Sequence, residues 1–187
     1  MTQQTIKNSA PALWVFGYGS LVWNPGFPFV ESHLAVLDGY HRSFCMWSIH
    51  HRGTREKPGL VLALDALDGA QCEGVAFGVA SDHADQTLAE LRERELISSA
   101  YLEKWLNLRL ANGEQVEAVT YVVDTAHEQY CGGLAPERQA EVIAAAHGGR
   151  GPNHEYLANT ARHLRELGLH DDELDWLESR VAQIQQG

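Results

Sequence analysis

Residues 14–23 read WVFGYGSLVW, an apolar run that breaks into two glycines and then becomes apolar again. Trp14 to Phe16 have the composition of a buried strand, whereas glycine weakens a strand because it loses more entropy on folding and packs against nothing. Gly17 and Gly19 therefore predict a strand end with accessible backbone amides, which could bind a carboxylate or carbonyl together with the Ser20 hydroxyl. A tight bend at a barrel corner explains the same pattern, and the glycine pair alone does not separate the two interpretations.

Two nucleotide-binding motifs share features with this stretch, and the sequence excludes both. A P-loop requires a lysine followed by serine or threonine, but Ser20 is followed by Leu21 and Val22. A dinucleotide-binding fingerprint requires a further glycine near position 22, where the chain has valine. Any ligand of this segment is therefore expected to be held by direct hydrogen bonds to the turn.

Short β-like runs extend outward from this segment over residues 13–123. They are separated by three dipeptides that suit positive φ, and these predict antiparallel hairpins. The three dipeptides are Asp38-Gly39, Asp68-Gly69 and Asn112-Gly113. Residues 81–97, SDHADQTLAELRERELI, predict a helix because an acidic first turn precedes regularly spaced leucines.

The last third of the chain has helical signals. Pro136 begins an alanine-rich segment that is predicted to stop at Gly148-Gly149, and Asn153 is predicted to cap a second helix that ends near Leu167. Asp171 or Asp172 is predicted to cap a third helix. Strands first and helices last indicate an α+β fold, with the strands in a curled sheet or barrel.

The composition limits the domain organisation and the partners. The 187 residues are 44% hydrophobic and carry a net charge of -11, which predicts one globular domain over residues 12–187 and opposes general binding to nucleic acid or anionic membranes. Residues 1–11 lack an apolar targeting region and are expected to form a mobile tail. The chain has three cysteines without metal-binding spacing, at positions 45, 72 and 131. This number and spacing favour a reducing, cytoplasmic location and neither a disulfide framework nor a zinc site.

Glu95 occupies a position where the helical pattern predicts an apolar side chain. Leu88, Leu91 and Glu95 share one face at i, i+3 and i+7, so the carboxylate is expected to point toward the core. Burial would raise its pKa and make it a candidate general base near neutral pH. The alternative is a solvated helix end on which Glu95 pairs with Arg92 or Arg94.

The remaining candidates carry weaker signals. His50, His51 and Arg52 could form a polar loop that supplies positive charge, and Arg150 could meet an anionic ligand. The ten histidines lack the spacing of zinc enzymes, so no metal or other cofactor is expected. The cysteines stand outside any recognisable nucleophile motif and are expected to be small buried side chains.

Five segments follow one another along residues 13–181: WVFGYGSLVWNPGF, GYHRSFCMWSIHHRGTREKPGLVLAL, CEGVAFGV, RERELISSAY and GPNHEYLANT. In this order they resemble the ChaC-type, glutathione-specific gamma-glutamylcyclotransferases. Two departures bear on the breadth of substrate choice. Arg92 stands where many relatives have an aspartate, and Ser98-Ser99-Ala100-Tyr101 replaces a Gly-Gly-Tyr run.

The resemblance implies a mixed, largely antiparallel β-barrel with a helix that bears a catalytic glutamate, followed by C-terminal helices. It implies that glutathione, or a related gamma-glutamyl peptide, is cyclised to 5-oxoproline with release of Cys-Gly, and that Glu95 is the general acid and base. The substrate-binding residues carried over from the family are Val15, Phe16, Gly17, Tyr18, Gly19, Ser20 and Leu21. The alternatives are a cyclotransferase for other gamma-glutamyl amines, or a non-catalytic gamma-glutamyl-binding regulator on the same scaffold.

Overall fold

The computed structural model describes residues 10–187, so most of the expected N-terminal tail lies outside the described residues. The strands are β1 (Leu13–Gly17), β2 (Glu31–Ser48), β3 (Gly59–Val79), β4 (Tyr101–Leu110), β5 (Gln115–Val123), β6 (His147–Gly148) and β7 (Gly151–Pro152). The helices are a short 3₁₀ helix (Ser20–Val22), α1 (Ser81–Glu95), α2 (Pro136–Ala145), α3 (Asn153–Glu166) and α4 (Asp172–Gln186). Within this range, none of the helices has the length and apolar composition needed to cross a bilayer.

Five strands close into a barrel in the order β1-β3-β2-β4-β5. The pairs are antiparallel except for β1 and β5, which run parallel and meet at Val15 and Val119. The α+β class and the mixed, largely antiparallel barrel are therefore confirmed. Closure also protects the strand edges, since a closed sheet leaves none unpaired.

The hairpin prediction is correct at Asn112-Gly113 and wrong at the other two dipeptides. Gly113 has φ +90° in the turn between β4 and β5. Asp38-Gly39 and Asp68-Gly69 lie instead inside β2 and β3, which pair almost from end to end with a register shift beside Gly39. Both glycines have φ +80°. A positive-φ glycine also allows a β-bulge, and bulges bend long strands enough to close a barrel.

The predicted C-terminal helices are confirmed, but α2 ends before Gly148-Gly149 and Asn153 does not cap α3. The Asp171 carboxylate accepts a hydrogen bond from the Leu174 N–H and caps α4 as predicted. α2 ends at Ala145, and the glycines that follow lie in the β6–β7 hairpin. Asn153 is fully buried and does not cap α3, because its side-chain amide bonds both the N–H and the carbonyl of Leu60 in β3, at 2.7 and 2.8 Å.

Candidate active site

One cavity contains both Glu95 and the segment Tyr18 to Leu21 that follows β1, which is called the glycine turn below. The cavity has a volume of about 190 Å³. Its walls are formed by Phe16, Tyr18, Gly19, Ser20, Leu21, His51, Val61, Leu62, Glu95, Tyr101, Tyr121 and Tyr156. Larger grooves of about 500 and 530 Å³ exist elsewhere, but neither includes the turn or Glu95. The smaller cavity is therefore the candidate site, because it combines a carboxylate with accessible backbone.

The turn after β1 presents backbone to the cavity. The 3₁₀ helix has so few residues that the N–H groups of its first turn have no partners within the helix. Two bonds hold the turn in shape, from the Val22 N–H to the Gly19 carbonyl and from the Asn24 N–H to the Ser20 carbonyl, both 2.9 Å. Gly19 is buried, yet a Cβ there would meet no protein atom within 4 Å. The backbone at Gly19 therefore borders open space that a ligand could enter.

Five of the seven predicted substrate-binding residues line this cavity: Phe16, Tyr18, Gly19, Ser20 and Leu21. Val15 is buried in the main hydrophobic cluster, among side chains from the strands and the C-terminal helices. Gly17 is buried behind the turn, where an added Cβ would lie 3.1 Å from the Leu21 Cβ. The structure thus places Val15 and Gly17 behind the cavity wall and the other five residues in that wall.

Glu95 is the last residue of α1, and its side chain is 21% exposed. On the same face, Leu91 is buried and Leu88 packs against the core, so the carboxylate points inward as the helical spacing predicts. Burial raises the pKa of Glu95, and the Arg94 guanidinium, whose Nε lies 3.4 Å from Oε1, partly offsets this shift.

Arg92 and Arg94, which precede Glu95 in α1, make contacts that differ from those expected of a solvated helix end. Arg92 forms a bidentate pair with Glu103, with both distances 2.7 Å, and Glu103 accepts a hydrogen bond from the Tyr121 hydroxyl. Arg94 also donates to the Ser20 hydroxyl at 3.2 Å. The ion-pair alternative is therefore partly correct, since Arg94 approaches Glu95 while linking it to the glycine turn.

Three of the four tyrosines in the cavity wall, Tyr101, Tyr121 and Tyr156, were not predicted as site residues from the sequence. Burial raises the pKa of Tyr18, Tyr101, Tyr121 and Tyr156, so all four phenols stay neutral at ordinary pH. The Tyr18 hydroxyl donates to the Tyr121 carbonyl at 3.0 Å. Tyr101 and Tyr156 lie in segments that carry the family resemblance, but the three missed tyrosines are spread over positions 101–156 without a local periodic signal.

Arg42 holds the glycine turn from behind and was also missed. Its side chain is almost fully buried and donates to the Tyr18 carbonyl at 2.6 Å, to the Glu73 carbonyl at 2.5 Å and to the Asp171 carboxylate at 2.6 Å. The guanidinium thus joins the turn, β3 and the capping residue of α4. Its only sequence signal was its place in one of the segments that carry the family resemblance.

The weaker candidates fall on both sides of the cavity boundary. His51 lines the cavity and Arg150 is exposed nearby. Cys45 and Cys72 are buried outside the cavity wall, and burial raises the pKa of Cys45 to about 12. Across residues 10–187, histidine, cysteine, aspartate and glutamate side chains form no group of three or more with metal-binding geometry.

Comparisons with known proteins support the fold and identify the family. The model of the ChaC-like protein family matches residues 13–184. A glutathione-specific gamma-glutamylcyclotransferase of Escherichia coli strain K12 is 39% identical over 172 residues, which cover 92% of this chain and 74% of that protein. A gamma-glutamylcyclotransferase of Arabidopsis thaliana is 35% identical over 179 residues, covering 92% and 90%. The crystal structure of a yeast cyclotransferase specific to glutathione shares the fold, with a TM-score of 0.80, 23% identity and coverage of 94% and 97%.

Proposed function

We propose that this chain, which belongs to the ChaC-like protein family, is a gamma-glutamylcyclotransferase that cleaves glutathione to 5-oxo-L-proline and L-cysteinylglycine. Relatives from bacteria, fish and humans that are 34–39% identical bear the name of this activity. The observation that carries the proposal is the shared cavity, in which a carboxylate of raised pKa faces an open glycine turn.

The reaction is an intramolecular acyl transfer. Glu95 accepts a proton from the α-ammonium group of the gamma-glutamyl moiety, and the freed amine attacks its own γ-carbonyl carbon to form the C–N bond of the ring. The ring nitrogen then releases its second proton to solvent, and when the tetrahedral intermediate collapses the C–N bond to cysteine breaks and Glu95 returns its proton to the departing amine. A carboxyl group performs both transfers best when its pKa lies near the working pH, which is the direction of the shift at Glu95.

The glycine turn is assigned the glutamyl end of the substrate. Its accessible N–H groups bind the α-carboxylate or the oxyanion that develops on the γ-carbonyl, and Arg94 adds positive charge through its bond to Ser20. Within the segment 15–21, the residues that line the cavity are proposed to contact the substrate, and Val15 and Gly17 are proposed to support them from behind. The ring closes only when the amine and the carbonyl of the substrate are held together, so positioning supplies much of the rate acceleration. The reaction is an acyl transfer and involves no change of oxidation state.

The experiment is incubation of the purified chain with glutathione and chromatography of the products. We expect 5-oxoproline and Cys-Gly in equal amounts. Turnover of other gamma-glutamyl amines without turnover of glutathione would replace the assigned substrate. Glutathione binding without any product would support the regulator alternative and contradict the enzyme.

The cellular setting is also part of the proposal. A cytoplasmic location is supported by the free thiols of Cys45, Cys72 and Cys131, which are typical of a reducing compartment. The net charge of -11 supports a small molecule, and neither nucleic acid nor membrane, as the partner. Residues 12–187 are proposed to form one domain, supported by the closed barrel and the helices that pack against it.

A further inference from the structure

Basic side chains without an acidic partner are concentrated in two loops beside the cavity. Among the described residues, the lysines and arginines that form no ion pair within 4.0 Å are Arg52, Arg55, Lys57, Lys104 and Arg150. Four of these five lie either between β2 and β3 or in the β6–β7 hairpin. In a chain of net charge -11, this grouping creates a local region that attracts anions.

The two loops are fixed to one another. The Gly149 N–H donates to the His50 carbonyl at 2.8 Å, and the Arg150 N–H donates to the His51 carbonyl at 2.9 Å. In return, the Arg52 guanidinium donates to the Arg150 carbonyl at 2.7 Å. A guanidinium has five N–H donors, so most of its hydrogen-bonding capacity remains after this contact.

This fixed loop pair borders the cavity. His51 and Tyr156 both line the cavity wall. The Arg52 guanidinium lies over the Tyr156 ring, 5.4 Å from its centroid. Burial lowers the pKa of His51, and among the charged neighbours that lower it further Arg150 has the largest effect. Arg52 and Arg150 are called the cationic rim below.

We infer that the cationic rim binds the terminal carboxylate of the leaving dipeptide, so that the enzyme selects gamma-glutamyl peptides with a free C-terminal carboxylate over gamma-glutamyl amines and amides. This inference rests on the proposed function, which places the glutamyl end at the turn. An extended Cys-Gly unit spans about 7 Å, so the glycine carboxylate must lie away from the turn, toward another part of the cavity wall. The planar guanidinium of Arg52 suits a carboxylate ligand.

The test compares glutathione with its C-terminal amide, by the kinetics of 5-oxoproline release. For the parent, we expect kcat/KM to be about ten- to a hundredfold lower with the amide, mainly through KM, because one charge-assisted contact is lost. Arg150→Gln should lower kcat/KM for glutathione toward the amide value and leave the amide unchanged. The Arg150 contacts described above are made by its backbone, so this variant removes charge without breaking a fold contact.

Two more variants make the test specific. Arg52→Lys keeps the positive charge but loses the planar guanidinium. It should lower kcat/KM for glutathione less than removal of the charge does. Arg55→Gln is the matched control, because Arg55 belongs to the same loop but lines a separate groove with Trp47 and Gln129. It should leave both substrates unchanged.

Three results would contradict carboxylate binding by the rim. They are equal kcat/KM for glutathione and its amide in the parent, equal losses of kcat/KM with both substrates in Arg150→Gln, or a selective loss with glutathione in Arg55→Gln. Failure of the parent to turn over either substrate would contradict the proposed function instead. In that case calorimetry with the same two compounds still decides the rim, since equal affinities would overturn it and tighter binding of glutathione would support it.

Discussion

Glu95 places a carboxylate where the helix pattern requires an apolar side chain, and the surroundings compensate only in part. Arg94 lies 3.4 Å away, but burial still dominates and raises the pKa of Glu95. The inward direction was predictable from the spacing to Leu88 and Leu91. The link from Arg94 to Ser20 was not predictable, because it joins residues 74 positions apart in sequence.

The raised pKa of Glu95 gives a stability prediction whose sign can be stated. The folded protein holds this proton more tightly than the unfolded chain, so ionising Glu95 costs folding free energy as the pH rises from the ordinary glutamate pKa through the raised one. Glu95→Gln removes that cost. We expect the two proteins to unfold alike below the ordinary pKa, and the variant to be at least as stable at neutral pH, in denaturant titrations across the pH range. A variant less stable than the parent at neutral pH would show that the Arg94 pair outweighs burial.

Gly19 supplies a second prediction at the scale of one residue. Gly19→Val adds a Cβ that meets no protein atom within 4 Å, and its methyl groups should occupy the space assigned to the substrate. We expect kcat/KM for glutathione to fall by about ten- to a hundredfold or more, the effect of a misfit of this size in a pocket. Gly133→Val is the control, since Gly133 also borders open space but lines a different groove. Unchanged kinetics in a folded Gly19→Val protein would make the turn a structural bend.

At the scale of elements, the long strands explain which sequence signals were reliable. The dipeptides Asp38-Gly39, Asp68-Gly69 and Asn112-Gly113 all have a positive-φ glycine, so the local conformation was predictable in each case. Only the third joins two strands. Whether such a glycine makes a hairpin turn or a bulge depends on what pairs across the sheet, which a local pattern does not contain.

Asn153 shows the same limit for helix signals, and it can be tested. A start of α3 near Asn153 was predictable from residue type, but its buried amide bonds both backbone groups of Leu60, 93 positions earlier. Asn153→Ala would leave a buried N–H and a buried carbonyl unpaired, and we expect a loss of about 2–4 kcal/mol in the free energy of unfolding. Asn159→Ala, at an exposed position on the same helix, is the control and should cost less than about 1 kcal/mol. Equal losses would contradict the clamp.

At the scale of the whole molecule, the cavity is assembled from segments that are far apart in sequence. The turn follows β1, Glu95 ends α1, and the tyrosines come from β4, β5 and α3. The turn and cap signals, together with the family resemblance, predicted the barrel and the C-terminal helices. The way the helices are tied to the barrel required the structure, because the ties are single buried polar groups such as Arg42 and Asn153.

Arg42 is the tie that connects the turn, the barrel and α4. Arg42→Met would remove the partner of Asp171, whose side chain is only 16% exposed, and would free the Tyr18 carbonyl. We expect a loss of about 3–5 kcal/mol in the free energy of unfolding, as for other broken buried pairs. Arg165→Met breaks pairs with Asp175 and Glu178 at the surface and should cost less than about 1 kcal/mol. Urea titrations of both variants measure this difference, and similar small losses would refute the role of Arg42 as a tie.

The central claim is that Glu95 carries the proton between the attacking amine and the leaving amine. Glu95→Gln keeps the shape and the hydrogen-bonding reach but cannot accept the proton. The decisive measurement is 5-oxoproline formation from saturating glutathione by this variant, with glutathione binding followed by calorimetry on the same sample. The account predicts that turnover falls by about 10²- to 10⁴-fold while binding persists. Turnover at the parental rate in a folded Glu95→Gln protein would contradict it.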